Sequence, residues 1–341
     1  MNKVTVNDKL IGADRAYIIA DVGSNHKQDL KLAKESIDAV VEAGADAVKF
    51  QSIKVDELYF RPDQKTREFV SRLAFPEKWH YELNDYCKQK GIVFFSSPTY
   101  MRSIDIMEEI DVPLYKLASA QIGTFPQLVE KVASLNKPTI FSTGIADYEE
   151  IIKAVRIFKK YQNDKFIILH CNSIYPTPAN RVNLQLMDTY KSMFGNPVGF
   201  SDHTNGIQIA LAAVTKGANV IEKHFTLDRN MDTPDSSTFA CDPEELKKLV
   251  NEIREVELAT ARFADRLSIQ EEEKEFKDAI LYRLISKRQL SAGETLTESD
   301  LEFMRYPEGI DCRDFYSRKE PLVLNRDVVE GTLITEEMLL L

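Results

Sequence analysis

Cysteine is scarce in this chain and never closely paired: Cys87, Cys171, Cys241 and Cys312 are the only four in 341 residues, and no two make a C-x-x-C. That spacing excludes a zinc ribbon, a dithiol redox motif and a disulfide framework, leaving reduced thiols in the core or at the surface. Long hydrophobic runs are missing as well. The opening Met1-Asn2-Lys3-Val4-Thr5-Val6 has no apolar leader core, and no later stretch approaches the roughly 18 apolar residues of a membrane span. The expectation is a cytoplasmic protein with no membrane partner. Basic runs are lacking too. The formal charge of −10 repels phosphate backbones, so no nucleic-acid partner is expected. Disorder and fibrous repeats do not fit, because 43% hydrophobic and 29% charged residues lie near globular averages.

What is present is an alternation. Eight short β-branched or aromatic runs, at 17–22, 45–51, 92–96, 113–118, 138–142, 166–170, 197–200 and 219–223, predict strands. Between them apolar residues recur near a 3.6-residue period, as in Leu128, Val129, Val132, Leu135 and in Ile151, Ile152, Val155, Phe158, which predicts helices. Asp242-Pro243-Glu244-Glu245 supplies an N-cap, a proline at the first helical position and a glutamate at the third. Gly44, Gly91 and Gly217 stand where helices must stop before strands. Eight β-then-α units predict an α/β fold, a closed (β/α)8 TIM barrel over residues 1–263, with an open doubly wound sheet as its competitor. The run Gln270-Glu271-Glu272-Glu273-Lys274-Glu275 reads as a solvated linker within 264–280. Residues 281–341 hold two similar phrases, Leu290-Ser291-Ala292-Gly293-Glu294-Thr295-Leu296-Thr297 and Val329-Glu330-Gly331-Thr332-Leu333-Ile334-Thr335, and predict a small, mostly β domain. A domain of that size needs support from the barrel or a partner chain.

A barrel of this kind carries its active site at the carboxyl ends of the strands. Those ends hold Asp21, then Lys49 and Gln51, Ser97, Lys116 and Ser119, Ser142 and Thr143, Ser173 and Tyr175, Ser201 with Asp202 and His203, and finally Glu222 and His224. Two lysines among hydroxyls and an amide, in an acidic protein, suit a dianionic phosphorylated substrate. The bland alternative is that both lysines pair with barrel carboxylates for stability. His203 and His224, one βα unit apart, fall on adjacent strand tips about 5 Å apart. With carboxylates such as Asp21 and Asp235 nearby, they suit a divalent ion of the manganese, magnesium or cobalt kind. His26, His80 and His170 lack such a partner and read as structural.

Several phrases now bear on identity: Ile18-Ile19-Ala20-Asp21-Val22-Gly23-Ser24-Asn25-His26, Ala47-Val48-Lys49-Phe50-Gln51, Tyr115-Lys116-Leu117-Ala118-Ser119, Ser142-Thr143-Gly144, Ile174-Tyr175-Pro176-Thr177-Pro178, Ser201-Asp202-His203-Thr204 and Glu222-Lys223-His224-Phe225-Thr226. In this order they resemble the sialic acid synthase family, the N-acetylneuraminate or nonulosonate synthases, and residues 281–341 resemble its C-terminal SAF domain, similar to type III antifreeze proteins. The resemblance implies condensation of phosphoenolpyruvate with an N-acylated hexosamine, N-acetylmannosamine or a relative, to a nine-carbon 2-keto sugar acid plus phosphate. It implies that Asp21, Lys49, Lys116, His203 and His224 are catalytic. Lys49, Gln51, Ser97, Lys116, Ser119, Ser142, Ser173 and Ser201 would bind phosphoenolpyruvate. Gln121, Tyr175, Asp235 and Arg305 would bind the sugar, and His203 and His224 a divalent metal, manganese first, magnesium or cobalt otherwise. It also implies a domain-swapped homodimer in which the Arg305 of one chain reaches the active site of the other.

Three positions depart from the family pattern: Asp21 and Gln121 stand where glutamates are usual, and Asp232-Thr233-Pro234-Asp235 replaces Pro-Gly-Pro-Asp. All lie toward the sugar and metal, so the acceptor stays open. Other phosphoenolpyruvate-using 3-deoxy sugar acid synthases are an alternative that the SAF-like tail counts against. A lysine Schiff-base aldolase using Lys116, or a noncatalytic carbohydrate- or ice-binding protein, would leave the strand-end constellation unexplained.

Overall fold

The computed structural model describes residues 2–13, 15–233, 239–261 and 268–340. It divides into two compact units, Met1–Ala261 and Arg262–Leu341. The first opens with an antiparallel hairpin, β1 (Val4–Val6) and β2 (Lys9–Ile11). Eight parallel strands follow: β3 (Tyr17–Gly23), β4 (Ala47–Ser52), β5 (Val93–Pro98), β6 (Tyr115–Leu117), β7 (Thr139–Ser142), β8 (Phe166–Cys171), β9 (Val198–Asp202) and β10 (Val220–His224). They hydrogen-bond in the order β5-β4-β3-β10-β9-β8-β7-β6. The ends of that order, β5 and β6, lie side by side. The sheet therefore closes into a (β/α)8 barrel, and the open-sheet alternative falls away.

Period-two alternation splits every strand between two environments. Ile18, Ala20, Val22, Val48, Phe50, Phe141, Ile168, Phe200 and Ile221 face outward into one cluster with the surrounding helices. Tyr17, Ile19, Ala47, Phe95, Leu114, Ile140, Ile167, Leu169 and Val220 belong to a second, inner cluster, which Val4, Val6 and Ile11 of the hairpin complete. The inner rows change character along the strands: Ile19 is followed by Asp21, Ala47 by Lys49, Ile140 by Ser142 and Val220 by Glu222. The barrel is thus dry where its strands begin and polar where they end.

The helices start and stop where the sequence marks them. Asp29 caps the helix Leu30–Ala43 by accepting from the Lys31 N–H at 2.8 Å, and Gly44 ends it at φ 82°. Asp242 caps Pro243–Thr260, accepting from the Glu245 N–H at 2.9 Å. Among the described residues no helix is long and apolar enough to cross a membrane.

The second unit differs from expectation at its start. Part of the stretch read as a linker is a helix, Glu271–Ala279, whose Glu273 accepts from the Gln270 N–H at 3.1 Å in a capping box. It buries no residue, so no apolar period announced it. Beyond it β11 (Tyr282–Ser286) pairs antiparallel with β12 (Leu301–Arg305). The two similar phrases are related by an internal two-fold arrangement. Leu290 and Val328 exchange both backbone bonds at 2.9 Å, the Gly293 N–H donates to the Leu324 carbonyl while Gly331 donates to Ser286, and Leu296 donates to Leu322 while Ile334 donates to Leu284. Leu284, Leu296, Leu301, Leu322, Ile334 and Leu339 supply its core.

Gly199 on β9 gives a test of barrel packing. A Cβ there would lie 2.3 Å from the Val220 carbonyl oxygen and 2.7 Å from Leu169 Cδ2. Gly199→Ala should lower unfolding stability by about 2 kcal/mol in a denaturant titration, the scale of overpacking in a rigid interior. A wild-type midpoint would show that the strands can part without cost.

Candidate active site

The polar ends of the inner rows meet in one cleft of about 620 Å³. Its floor is a quartet of buried charges. Lys49 Nζ lies 2.6 Å from Asp21 Oδ2 and 3.5 Å from Glu222 Oε2, and Lys116 Nζ donates to Glu222 Oε1 at 2.9 Å, with every one of these side chains at most 3% exposed. Strand register brings them together: Asp21 pairs with Lys49 across β3–β4 and with His224 across β10–β3, while Glu222 pairs with Ser201 across β10–β9. Ser201 Oγ adds a third contact, donating to Glu222 Oε1 at 2.9 Å. Burial opposes the Glu222 charge, yet the Lys116 and Lys49 ammoniums outweigh it and hold the carboxyl far below the usual range. Burial pulls Lys116 down in turn, and Glu222 opposes that pull.

Pairing of the lysines with barrel carboxylates is therefore real, and it does not exhaust Lys116. Lys116 has three N–H donors and, among the described residues, spends one on Glu222. Around the quartet stand hydroxyls with no internal use: Ser97 Oγ and Ser142 Oγ are buried without a hydrogen-bond partner among the described residues. Ser119 Oγ accepts from the Gly144 N–H at 2.8 Å. A Cβ on Gly144 would sit 2.3 Å from Ser173 Oγ, so only glycine lets these serines converge. Gln51, Ser173 and the partly buried Gln121, whose Oε1 has no partner among the described residues, line the same space. Ammonium and hydroxyl donors converging on one volume form an anion receptor.

His203 and His224 stand beside the quartet with ring centroids 5.2 Å apart. Burial first, then the neighbouring His224, pushes the His203 pKa down to about 3, so this imidazole is neutral at physiological pH. Its Nδ1 lies 2.7 Å from the Asn172 carbonyl oxygen, which can only accept, so the proton sits on Nδ1 and Nε2 keeps its lone pair. His224 Nε2 lies 3.5 Å from Asp21 Oδ2. Tyr175, 56% exposed, lies tilted by 38° with its ring centroid 4.4 Å from that of His203, and Phe239 packs edge-to-face with both imidazoles. Among the described residues no group of three or more His, Cys, Asp or Glu side chains is arranged to hold a metal. Two adjacent imidazoles, one with its tautomer fixed, fit a divalent ion whose other ligands are water and substrate oxygens.

Of the residues singled out in the sequence, Asp21, Lys49, Gln51, Ser97, Lys116, Ser119, Gln121, Ser142, Ser173, Tyr175, Ser201, His203 and His224 all line this cleft. Asp235 lies outside the described residues. Arg305 belongs to the second unit, on β12, with its guanidinium 5.4 Å over the Tyr282 ring. His80 bonds Ser52 Oγ at 2.7 Å, His26 Nδ1 accepts from the Gln28 N–H at 3.2 Å and His170 Nε2 meets the Val182 carbonyl, all structural contacts. Sequence reasoning placed Glu222 at a strand end and gave it no role. Its spacing of two from His224 on one strand was the available signal.

Fold and site together define a TIM-barrel enzyme whose cleft has the donors to receive an anion. The chain belongs to the NeuB family, whose sequence profile matches residues 36–264. It is 37% identical over 313 residues to the N,N'-diacetyllegionaminic acid synthase of Campylobacter jejuni, covering 87% of this chain and 92% of that one. To a pseudaminic acid synthase of Campylobacter jejuni it is 33% identical over 336 residues, 94% of this chain and 96% of that one. The crystal structure of N-acetylneuraminic acid (sialic acid) synthetase from Leptospira borgpetersenii in complex with citrate superposes with a TM-score of 0.74 at 36% identity, over 81% of this chain and 95% of that one.

Removing the central carboxylate should expose its function. Glu222→Gln leaves two buried ammoniums short of a counter-charge and should cost about 3 kcal/mol of stability. Inorganic phosphate should restore the variant's melting temperature more than it raises the wild type's, because an anion replaces the missing charge. A variant of wild-type stability and wild-type phosphate response would show that the lysines do not depend on Glu222.

Proposed function

We propose that this chain condenses phosphoenolpyruvate with an N-acylated hexosamine, N-acetylmannosamine or a 2,4-diacetamido relative, to give a nine-carbon 2-keto sugar acid and phosphate. The observation that carries this is the convergence in one cleft, beside two imidazoles, of Lys49, Lys116 and the hydroxyls of Ser97 and Ser142, which have no hydrogen-bond partner among the described residues. The phosphate and carboxylate of the donor are held by the two ammoniums and by Gln51, Ser97, Ser119, Ser142, Ser173 and Ser201. C3 of the donor bonds to the sugar aldehyde carbon with the electron pair of the C2–C3 π bond, while the carbonyl π pair moves onto the aldehyde oxygen, which takes up a proton. Water supplies the oxygen at C2, and the C2–O bond breaks to release phosphate. Asp21 Oδ2, between Lys49 Nζ at 2.6 Å and His224 Nε2 at 3.5 Å, is the carboxylate oxygen placed to take the proton of that water. His203 and His224 would hold a divalent ion, manganese first and magnesium or cobalt otherwise, which when bound polarises the aldehyde carbonyl. Tyr175 and Gln121 face the sugar, and an amide at 121 can both donate to and accept from an acetamido group. The relatives named for diacetamido acids favour such an acceptor. Free thiols at Cys87, Cys171 and Cys241, all buried, suit the reducing cytoplasm.

The experiment is incubation with phosphoenolpyruvate, manganese and a panel of 2-acetamido and 2,4-diacetamido hexoses, read by mass spectrometry and phosphate release. A nine-carbon acid should form with one sugar class, and chelation should abolish it. Phosphate release without a carbon–carbon product, or full turnover under chelation, would overturn the condensation or the metal respectively.

The second unit reads as an SAF domain that completes the cleft of a partner through Arg305 in a domain-swapped homodimer. Arg305→Ala and Lys116→Ala, each inactive alone, should complement when co-expressed. Random pairing makes half the dimers mixed with half their sites whole, so about a quarter of wild-type activity should return. No recovery in mixed dimers confirmed by differential tags would reject the swap.

A further inference from the structure

Asp202 and Lys223 immediately precede His203 and His224, and strand alternation turns them to the opposite face, away from the cleft. Both are 0% exposed. On that outward face the neighbouring residues of β3, β9 and β10 are apolar: Ile18, Ala20, Val22, Val198, Phe200 and Ile221. Among the described residues their hydrogen bonds run to each other and to the Thr204 backbone, with the buried Cys241 thiol close enough to feel both charges. They are register partners across β9–β10, and Lys223 Nζ donates to Asp202 Oδ2 at 2.9 Å. Lys223 also donates to the Thr204 carbonyl, and Asp202 Oδ1 accepts from the Thr204 N–H at 2.8 Å. His203 is thereby gripped through the residues on either side of it, while its own carbonyl accepts from the Thr177 N–H at 2.8 Å.

An ion pair sealed in an apolar layer is poor value for stability, since well-packed hydrophobic residues of similar shape hold such a layer as well or better. What it supplies is direction. An ammonium and a carboxylate with defined bonds fix the lateral offset of two strand tips in a way that leucine and valine cannot. Those tips carry the two imidazoles, whose separation of 5.2 Å and whose tautomer at His203 are the site's claim to an ion. We propose that the Asp202–Lys223 pair is a positioning device that sets the His203–His224 geometry and so the affinity for a divalent ion. The second half of this rests on the two-imidazole metal site proposed above.

Lys223→Met alone would strand a buried carboxylate, so the charge-neutral double variant Asp202→Asn with Lys223→Met is the variant to make. Asp202→Asn with Lys223→Gln, also charge-neutral and still able to bond the Thr204 backbone, repeats the test if the first double variant fails to unfold cooperatively. In the metal-free protein, 15N-histidine NMR should show His203 as a single Nδ1-protonated tautomer in the wild type, and shifted or averaged His203 and His224 signals in the variant. Manganese affinity, read by electron paramagnetic resonance, should fall about 10-fold to 100-fold, as when a group supporting a metal ligand is lost. Affinity for phosphoenolpyruvate by calorimetry should hold, because Lys49 and Lys116 are untouched. Unchanged imidazole signals would overturn the positioning role whatever manganese does. Shifted signals with unchanged manganese affinity would overturn its link to the ion. A wild type that binds no manganese at these imidazoles would remove the ion from the proposed function, while the metal-free spectra still decide the clamp.

Discussion

Four charges buried at the tips of four strands govern the rest of this architecture. Asp21 comes from β3, Lys49 from β4, Lys116 from β6 and Glu222 from β10, and together they sum to zero. Each ion brought out of water costs several kcal/mol before any pairing, so the arrangement is tolerable only with alternating signs at hydrogen-bonding distance. That demand falls on register, because a slip of one residue would turn Lys49 outward and leave Asp21 uncompensated. The dry lower half of the barrel, closed by Val4, Val6 and Ile11, provides the rigidity that holds register. The anion receptor above is therefore made possible by the apolar plug below.

Much of this is legible in the chain. Strand positions follow from short β-branched runs, and the strand-end residues from the rule that a barrel presents its chemistry there, so the serines and lysines could be named before their contacts were seen. Pairing is what the sequence conceals. Lys116 and Glu222 are 106 residues apart, and nothing local says that the acid's partners are two lysines from different strands. The Asp202–Lys223 pair is hidden for the same reason, with the added disguise of adjoining two residues that attract attention. The helix Glu271–Ala279 escaped because a solvated helix with no buried face has no apolar period, and its one local mark is the capping box at Gln270 and Glu273. The similar phrases at Gly293 and Gly331 were visible as repetition, but their matching backbone bonds, Gly293 to Leu324 and Gly331 to Ser286, are a property of three dimensions.

The departures from the family pattern are where structure adds most to the sequence. At Asp21 the shorter side chain uses both oxygens: Oδ1 accepts from the Gly23 N–H at 3.0 Å, and Oδ2 meets Lys49 Nζ at 2.6 Å. The first bond lies within a register shift between Asp21 and Gly23, a local contact that a glutamate, one methylene longer, would reach past. The carboxylate is thus anchored in the strand and offers a fixed oxygen toward His224. At Gln121 the opposite holds, for its Oε1 is buried without a partner among the described residues and looks into the cleft. An unmet acceptor on a neutral amide favours a ligand that brings an N–H or O–H donor, and an acetamido group supplies one. If the proposed acetamido sugar binds against this wall, an amide there avoids the electrostatic cost of burying a carboxylate beside an apolar acetyl methyl. Under the proposed function, the donor side of the cleft is held by charges that must balance, whereas Gln121 and Tyr175 on the acceptor side are neutral and can be exchanged singly. Under that proposal, acceptor choice can change at these two positions without disturbing the anion receptor on which it stands.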